Sequence, residues 1–135
     1  TLTPTMVLKD GQPVLAISVA GGDMQDQTAL CLLLDHIEFG MGPAEAVVAP
    51  RFATQHHQDS FDPHPDRDQT FKEVGSLTIS ETVEQDVREQ LAQRGHAVEA
   101  KSGPIGTPVM LLADQGTYYA AGDPAAGRHA AGLAD

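Results

Sequence analysis

The strongest constraint on the fold of this sequence is a predicted strand that ends in two glycines and leads directly into a helix. Val14–Val19 is an apolar run, Met6–Leu8 is a shorter one, and the polar residues Lys9–Gln12 lie between them. An Asp-Gly pair in such a connection is typical of a hairpin turn, so the two runs are predicted to be paired strands. Gly21 and Gly22 then end the second strand. The sequence therefore places the glycine pair at a strand-to-helix junction.

The rest of the chain contains further predicted helices and strands. Apolar spacing with a following Gly or Pro predicts three helices, at Gln25–Phe39, Pro43–Ala49 and Ser80–Arg94. Strands are predicted at Phe71–Val74, Val109–Ala113 and Thr117–Ala121. The order of these elements predicts an α/β fold of the layered α+β type, formed by residues 1–135 as a single domain without internal repeats.

Composition narrows the classes of function. Hydrophobic residues make up 41% of the chain, which is enough to bury a core. Lys and Arg total only 8 and the formal net charge is −11, so no nucleic-acid partner is expected. The single cysteine, Cys31, excludes an internal disulfide framework and is interpreted as a buried structural thiol. The apolar run around Cys31 is too short to span a membrane, so no membrane segment is expected in this chain. The sequence also begins without the pattern of a signal peptide, and the compartment of the protein stays open.

Residues 53–70 are rich in Gln, His, Asp and Pro and are predicted to form a long exposed loop. Three histidines and two aspartates in it are candidate metal ligands: His56, His57, Asp59, Asp62 and His64. Their spacing matches no zinc signature, so we expect a solvated acidic loop and no metal. No cofactor is expected elsewhere in the chain.

The glycine pair has two interpretations that the residues alone leave open. Backbone N–H groups at the start of a helix can stabilise developing negative charge, and glycine lets a substrate approach the backbone closely. The same pair is also typical of a tight turn without chemistry.

An ordered series of phrases in the sequence resembles the γ-glutamyltransferase (γ-glutamyltranspeptidase) family. The phrases are TPTMVLKDG at 3–11, Gly21-Gly22, FGM at 39–41, EA at 45–46, APRF at 49–52, LAQRGHAV at 91–98 and YAAGDP at 119–124. The series runs along nearly the whole chain and is interrupted only by the loop at 53–70. It resembles the C-terminal part of the family's small subunit.

The resemblance implies an N-terminal-nucleophile hydrolase or acyltransferase with an αββα sandwich. Family members cleave their own precursor, and a threonine at the new N-terminus forms the acyl-enzyme with γ-glutamyl compounds such as glutathione. That threonine would lie upstream of this chain, although Thr1 itself is an alternative nucleophile. The resemblance makes Gly21 and Gly22 the oxyanion hole and assigns Thr1 and Thr3 to binding the small-molecule amide substrate. It also implies partners, namely the remainder of the small subunit and the large subunit of the same precursor.

One departure from the family pattern puts the substrate in doubt. Transpeptidases of the family usually have Ser and Arg after the glycine pair, whereas this chain has Asp23. Asp23 is interpreted either as a helix cap or as a ligand of a substrate amine. Gly-Gly-Asp resembles a divergent branch that includes cephalosporin acylases and small-amide hydrolases. The alternatives are therefore an acylase or amide hydrolase without γ-glutamyl preference, and a non-catalytic binding or assembly domain.

Overall fold

A computed structural model describes residues 3–60 and 64–131 of the chain. Thr1 and Asp62 therefore lie outside the described residues. The chain divides into two compact units, the first formed by residues 1–49 and 106–135 and the second by residues 50–105. Each unit is described by itself, and the single-domain assignment of residues 1–135 stays a prediction.

Seven strands, three α-helices and three short 3-10 turns make up the described secondary structure, so the predicted mixed α+β class is confirmed. The strands are β1 (Thr5–Lys9), β2 (Gln12–Ala20), β3 (Phe52–Ala53), β4 (Ser76–Ser80), β5 (Ala97–Lys101), β6 (Thr107–Asp114) and β7 (Thr117–Gly122). The helices are α1 (Gln25–Ile37), α2 (Pro43–Ala46) and α3 (Gln85–Gln93).

The first unit is built on an antiparallel sheet of four strands in the order β1-β2-β6-β7. Side chains alternate between the two faces of a strand, so β2 sends Leu15, Ile17 and Val19 to one face, where all three are buried. Ala29 and Leu32 of α1 belong to the same buried cluster. This packing of α1 on the sheet forms the core of the unit and fixes the strand-to-helix junction at its edge.

The opposite face of the same sheet is apolar and largely exposed. The strand register places Met6, Ala16, Leu111 and Ala120 in one row across the four strands. Met6 is 64% exposed and Leu111 49% exposed. We call this side of the sheet the outer face.

The second unit contains a three-stranded sheet in the order β3-β4-β5. β4 and β5 are parallel, and α3 connects them as a crossover helix. Leu77 and Ile79 alternate along β4 and are buried. Arg51 is also buried, and its Nε–H donates a hydrogen bond to the Ile105 carbonyl at 3.1 Å.

Several predicted boundaries after residue 50 are wrong. Phe71 forms only an isolated bridge with Gln58, whereas the strand of this region is β4, five residues further on. The helix predicted from Ser80 begins only at Gln85, because Ser80 is the last residue of β4. The loop predicted from residue 53 begins after β3, in which Ala53 is buried. No helix among residues 3–60 and 64–131 is long and apolar enough to cross a membrane.

Candidate functional site

The glycine pair lies at the junction between β2 and α1. A 3-10 turn, Gly22–Met24, connects the strand to the helix, and the Met24 N–H donates to the Gly21 carbonyl at 3.2 Å. The φ angles are 156° at Gly21 and 59° at Gly22. A φ of 59° lies in the left-handed region that glycine enters without a steric penalty, so this turn requires glycine at position 22.

The two amides of this pair are available to a ligand. Within the described ranges, neither the Gly21 nor the Gly22 N–H donates a hydrogen bond. The 3-10 turn continues into the 13-residue helix α1, whose first N–H groups carry partial positive charge. Two carboxylates, Asp23 and Asp26, lie in the first turns and oppose this potential. The turn can therefore stabilise an oxyanion through directed N–H donors rather than through net positive potential.

The N-terminal segment is joined to the start of α1 by one side-chain hydrogen bond. The Thr3 hydroxyl donates to Gln25 Oε1 at 2.9 Å, and Gln25 is only 7% exposed. The Thr3 hydroxyl thus already donates its proton to a side chain of this chain, while its oxygen can still accept a hydrogen bond from a ligand. Thr3, Gln25 and the glycine pair therefore lie at the same end of the first unit.

The opposite side of the junction is formed by the start of β6. Ala20 pairs with Thr107, and the Thr107 hydroxyl donates to the Ala20 carbonyl at 2.7 Å. The preceding residue, Gly106, lies directly against the side chain of Thr28 in α1. The start of β6, which is distant in sequence, therefore contacts both the strand and the helix that flank the glycine turn.

Asp23 lies within the 3-10 turn and is half-buried. The N-cap of α1 is Met24, which makes no side-chain cap hydrogen bond. The interpretation of Asp23 as the N-cap residue of this helix is therefore incorrect, because the 3-10 turn separates Asp23 from the helix start. Its assignment as a substrate ligand stays a prediction.

The sequence did not single out Gln25, Thr28 and Gly106, which the structure brings to the junction. Gln25 and Thr28 lie on the buried side of α1, together with Ala29 and Leu32. Their spacing matches one face of a helix, so the sequence does contain a pattern for this buried face. Leu30 and Leu34 are larger and more apolar, and they favour a different face as the buried one. Gly106 gave no signal, since its contact with Thr28 depends on the tertiary fold.

The histidine-rich loop forms local hydrogen bonds. The His57 Nδ1–H donates to the Gln58 carbonyl at 2.9 Å, and His56 Nδ1 accepts from the Gly75 N–H at 3.3 Å. Asp59 forms an ion pair with Lys72 at 3.3 Å. Across the described part of the chain, no group of three or more His, Cys, Asp or Glu side chains is placed to hold a metal ion.

The sequence matches a known family along almost its whole length. Residues 1–133 match the family model described as gamma-glutamyltranspeptidase. The glutathione hydrolase proenzyme of Escherichia coli K12 is 30% identical over 124 residues, which are 92% of this chain and 19% of that protein. The chain therefore spans about a fifth of the length of this curated relative.

Solved structures share the fold at lower sequence identity. The gamma-glutamyltranspeptidase of Pseudomonas nitroreducens, complexed with L-DON, superposes with a TM-score of 0.75 at 19% identity, covering 100% of this chain and 63% of that one. The cephalosporin acylase of Bacillus halodurans superposes with a TM-score of 0.71 at 22% identity, covering 90% of this chain and 20% of that one. At these identities the likeness establishes the fold only.

Proposed function

Because this chain belongs to the gamma-glutamyltranspeptidase family, we propose that in the complete protein it supplies the oxyanion donors of an amide-bond hydrolase or acyltransferase. The family resemblance noted in the sequence is thereby confirmed. The proposed substrates are γ-glutamyl compounds such as glutathione, as the name of the Escherichia coli relative suggests. The proposed partners of this chain are the remaining polypeptides of the same precursor.

The proposed reaction proceeds through an acyl-enzyme on a threonine that lies outside this chain. Its hydroxyl oxygen attacks the amide carbonyl, its proton passes to the threonine's own amine, and the carbonyl oxygen becomes an oxyanion. Collapse of this intermediate breaks the C–N bond and releases the amine, which takes up the proton. Water or an acceptor amine then removes the acyl group.

One observation carries this proposal, namely the pair of backbone N–H groups at Gly21 and Gly22 without a hydrogen-bond acceptor among the described residues. Donors that are already fixed before the reaction need no reorganisation when charge develops on the substrate oxygen. They act mainly on the transition state, so their loss lowers kcat more than it raises KM.

The direct test removes the Gly22 N–H with a residue that can still adopt the positive φ of the turn. Proline is unsuitable because its φ of about −65° is incompatible with the 59° at this position. Glycolic acid in place of Gly22, introduced by semisynthesis of the complete protein, converts the amide to an ester. The ester lacks the Gly22 N–H donor, and its Gly21 carbonyl is a weaker acceptor for the Met24 N–H. We expect kcat on a γ-glutamyl anilide to fall by about 10²–10³ with little change in KM.

The matched control is the same ester at Gly116, another positive-φ glycine, which lies in the turn between β6 and β7. Both proteins are checked by melting temperature. Near-full turnover in a folded Gly22 ester would show that the pair is only a turn. A complete protein with this turn intact but without turnover on any amide would favour a non-catalytic domain.

Asp23 follows the glycine pair where transpeptidases of the family usually have serine, and its role separates γ-glutamyl substrates from a second candidate function, that of an acylase without γ-glutamyl preference. We propose that Asp23 accepts hydrogen bonds from the substrate's α-amine and that Thr1 and Thr3 contact the same amino-acid end. A preference of the wild-type protein for glutaryl amides, which lack the α-amine, would instead favour an acylase without γ-glutamyl preference.

Asp23→Asn distinguishes these roles. We expect it to lower kcat/KM for γ-glutamyl amides by about tenfold or more, as for a charged hydrogen bond, and to leave glutaryl amides unchanged. Asp26→Asn is the control, because Asp26 is an exposed carboxylate in the first turn of α1. Equal effects of Asp23→Asn on both substrates would contradict an amine-binding role.

A further inference from the structure

We infer that Gly106 and Thr28 are positioning residues that hold the Gly21–Gly22 turn in its donor geometry. The contact between them is close and leaves no room for a side chain at position 106. A Cβ added at Gly106 would lie 2.5 Å from Thr28 Oγ1, 2.9 Å from Cγ2 and 3.2 Å from Cβ. Thr28 is 1% exposed, so it cannot turn away into solvent.

The contact controls the glycine turn because both ends of the turn depend on the start of β6. On the strand side, Ala20 is held by the Thr107 hydroxyl at 2.7 Å. On the helix side, α1 rests on Gly106 through Thr28. The glycine turn must close the distance between these two fixed ends within a few residues. A change in the separation of α1 from β6 therefore changes the direction of the Gly21 and Gly22 N–H groups.

The role of Thr28 in this contact is steric. Its Oγ1 is buried and has no hydrogen-bond partner among the described residues. A buried hydroxyl without a partner gains nothing from its polarity, so its shape accounts for its effect on the junction. We therefore expect Thr28→Val, which keeps the shape and removes the hydroxyl, to retain kcat and to keep or raise the melting temperature.

The inference rests on the proposed function, and its test is carried out in the complete protein with selectively ¹⁵N-labelled glycine. Gly106→Ala is expected to lower kcat by about tenfold to a hundredfold, as a displacement of about 1 Å does at a catalytic centre, with KM nearly unchanged. The Gly21 and Gly22 amide resonances are expected to shift. The double variant Gly106→Ala with Thr28→Ala removes Oγ1 and Cγ2 and should recover most of the lost kcat relative to Thr28→Ala alone.

Gly116→Ala is the matched control for backbone strain. Its φ of 83° resembles the 75° of Gly106, but an added Cβ at 116 meets nothing within 4 Å. Both substitutions therefore place alanine in the left-handed region, and only Gly106→Ala presses on α1. The inference is overturned if Gly106→Ala leaves the two glycine resonances unmoved, or if Gly116→Ala moves them as far.

Failure of the proposed function gives a different result. If the two resonances move in Gly106→Ala and return in the double variant while kcat stays constant throughout, the positioning role stands. The oxyanion role of the glycine pair is then wrong.

Discussion

Several buried polar side chains of the described residues contact a segment distant in sequence. Gln25, Thr28, Arg51 and Asp123 are each at most 7% exposed. Gln25 accepts from Thr3, and the Asp123 carboxylate accepts from backbone N–H groups of the turn that follows β7. A buried polar group is costly without a partner, so such residues favour one arrangement of the chain over others. Thr28 is the exception, because its buried hydroxyl has no partner among the described residues and its side chain packs against Gly106.

At the residue scale, we predict that Arg51→Lys destabilises the chain. The Arg51 Nε–H donates to the Ile105 carbonyl and so links the beginning and the end of the second unit. Lysine has no equivalent donor at that position and is a flexible point charge, so the buried carbonyl loses its partner. We expect a loss of about 1–3 kcal/mol in the free energy of unfolding, measured by urea denaturation. Arg94→Lys, at the exposed end of α3, is the control and should be near neutral.

At the scale of elements, the hairpin and first helix could be predicted because their signals are local. Alternating residues, an Asp-Gly turn and a helical apolar period all lie within residues 5–39, and β1, β2 and α1 form there. The second unit was harder to predict. Ser76–Ser80 alternates strictly and its two apolar residues are buried, but β4 is stabilised by the parallel partner β5. In β5 itself only Val98 is partly buried, so its residues show no clear apolar alternation.

Only part of the candidate site could be predicted from the sequence. The glycine pair is marked by its place between an apolar strand and a helix. Gly106 and Thr28 are separated by most of the chain, so no local pattern connects them. Whether Gly22 tolerates another residue depends on its φ angle, which the sequence does not reveal.

The two sides of α1 lead to a second prediction. Leu32 is fully buried against the sheet, whereas Leu34 is 44% exposed. We expect Leu32→Ala to cost about 2–5 kcal/mol in this chain, since it leaves a cavity in the core. Leu34→Ala should change stability by no more than about 0.5 kcal/mol. Urea denaturation of both variants checks this difference, and equal losses would mean that α1 buries a different face.

The histidine loop gives a third prediction at this scale. We expect residues 53–69 to bind no structural metal, because the His56 and His57 Nδ1 atoms already form local hydrogen bonds with the backbone. Dialysis against buffer followed by elemental analysis should find no stoichiometric zinc. Zinc that survives dialysis of the wild type and is lost in His56→Ala would refute this prediction.

At the scale of the whole molecule, the first unit has many large apolar side chains that are not buried in its core. The outer face carries Met6, Leu8, Leu111 and Tyr118, each 49% to 78% exposed. On α1, Leu30 and Ile37 are likewise 55% and 60% exposed. A contiguous apolar surface such as the outer face marks an interaction site. We propose that in the complete protein the remaining polypeptide covers it, which is consistent with a chain that spans about a fifth of its Escherichia coli relative.

The final prediction is that the 135-residue chain by itself associates through its outer face. Buried apolar area contributes about 25 cal/mol per Å², so pairing two such faces is favourable. In the described sheet β1 and β7 are edge strands, and their unpaired backbone groups add to this tendency. Sedimentation velocity over a range of concentrations should show a reversible shift from monomer to larger species. A chain that stays monomeric at high concentration would contradict the prediction.

Leu111→Lys tests whether the outer face is responsible. Leu111 lies on the central strand β6, so the substitution places a charge in the middle of the face without altering a sheet edge. The wild-type net charge is −11, so an added lysine reduces the repulsion between chains and by itself favours association. Val74→Lys replaces another exposed apolar residue, in the second unit, with the same change in charge. We expect Leu111→Lys to weaken association and Val74→Lys to leave it unchanged or stronger; equal behaviour of the two variants would assign the contact to another surface.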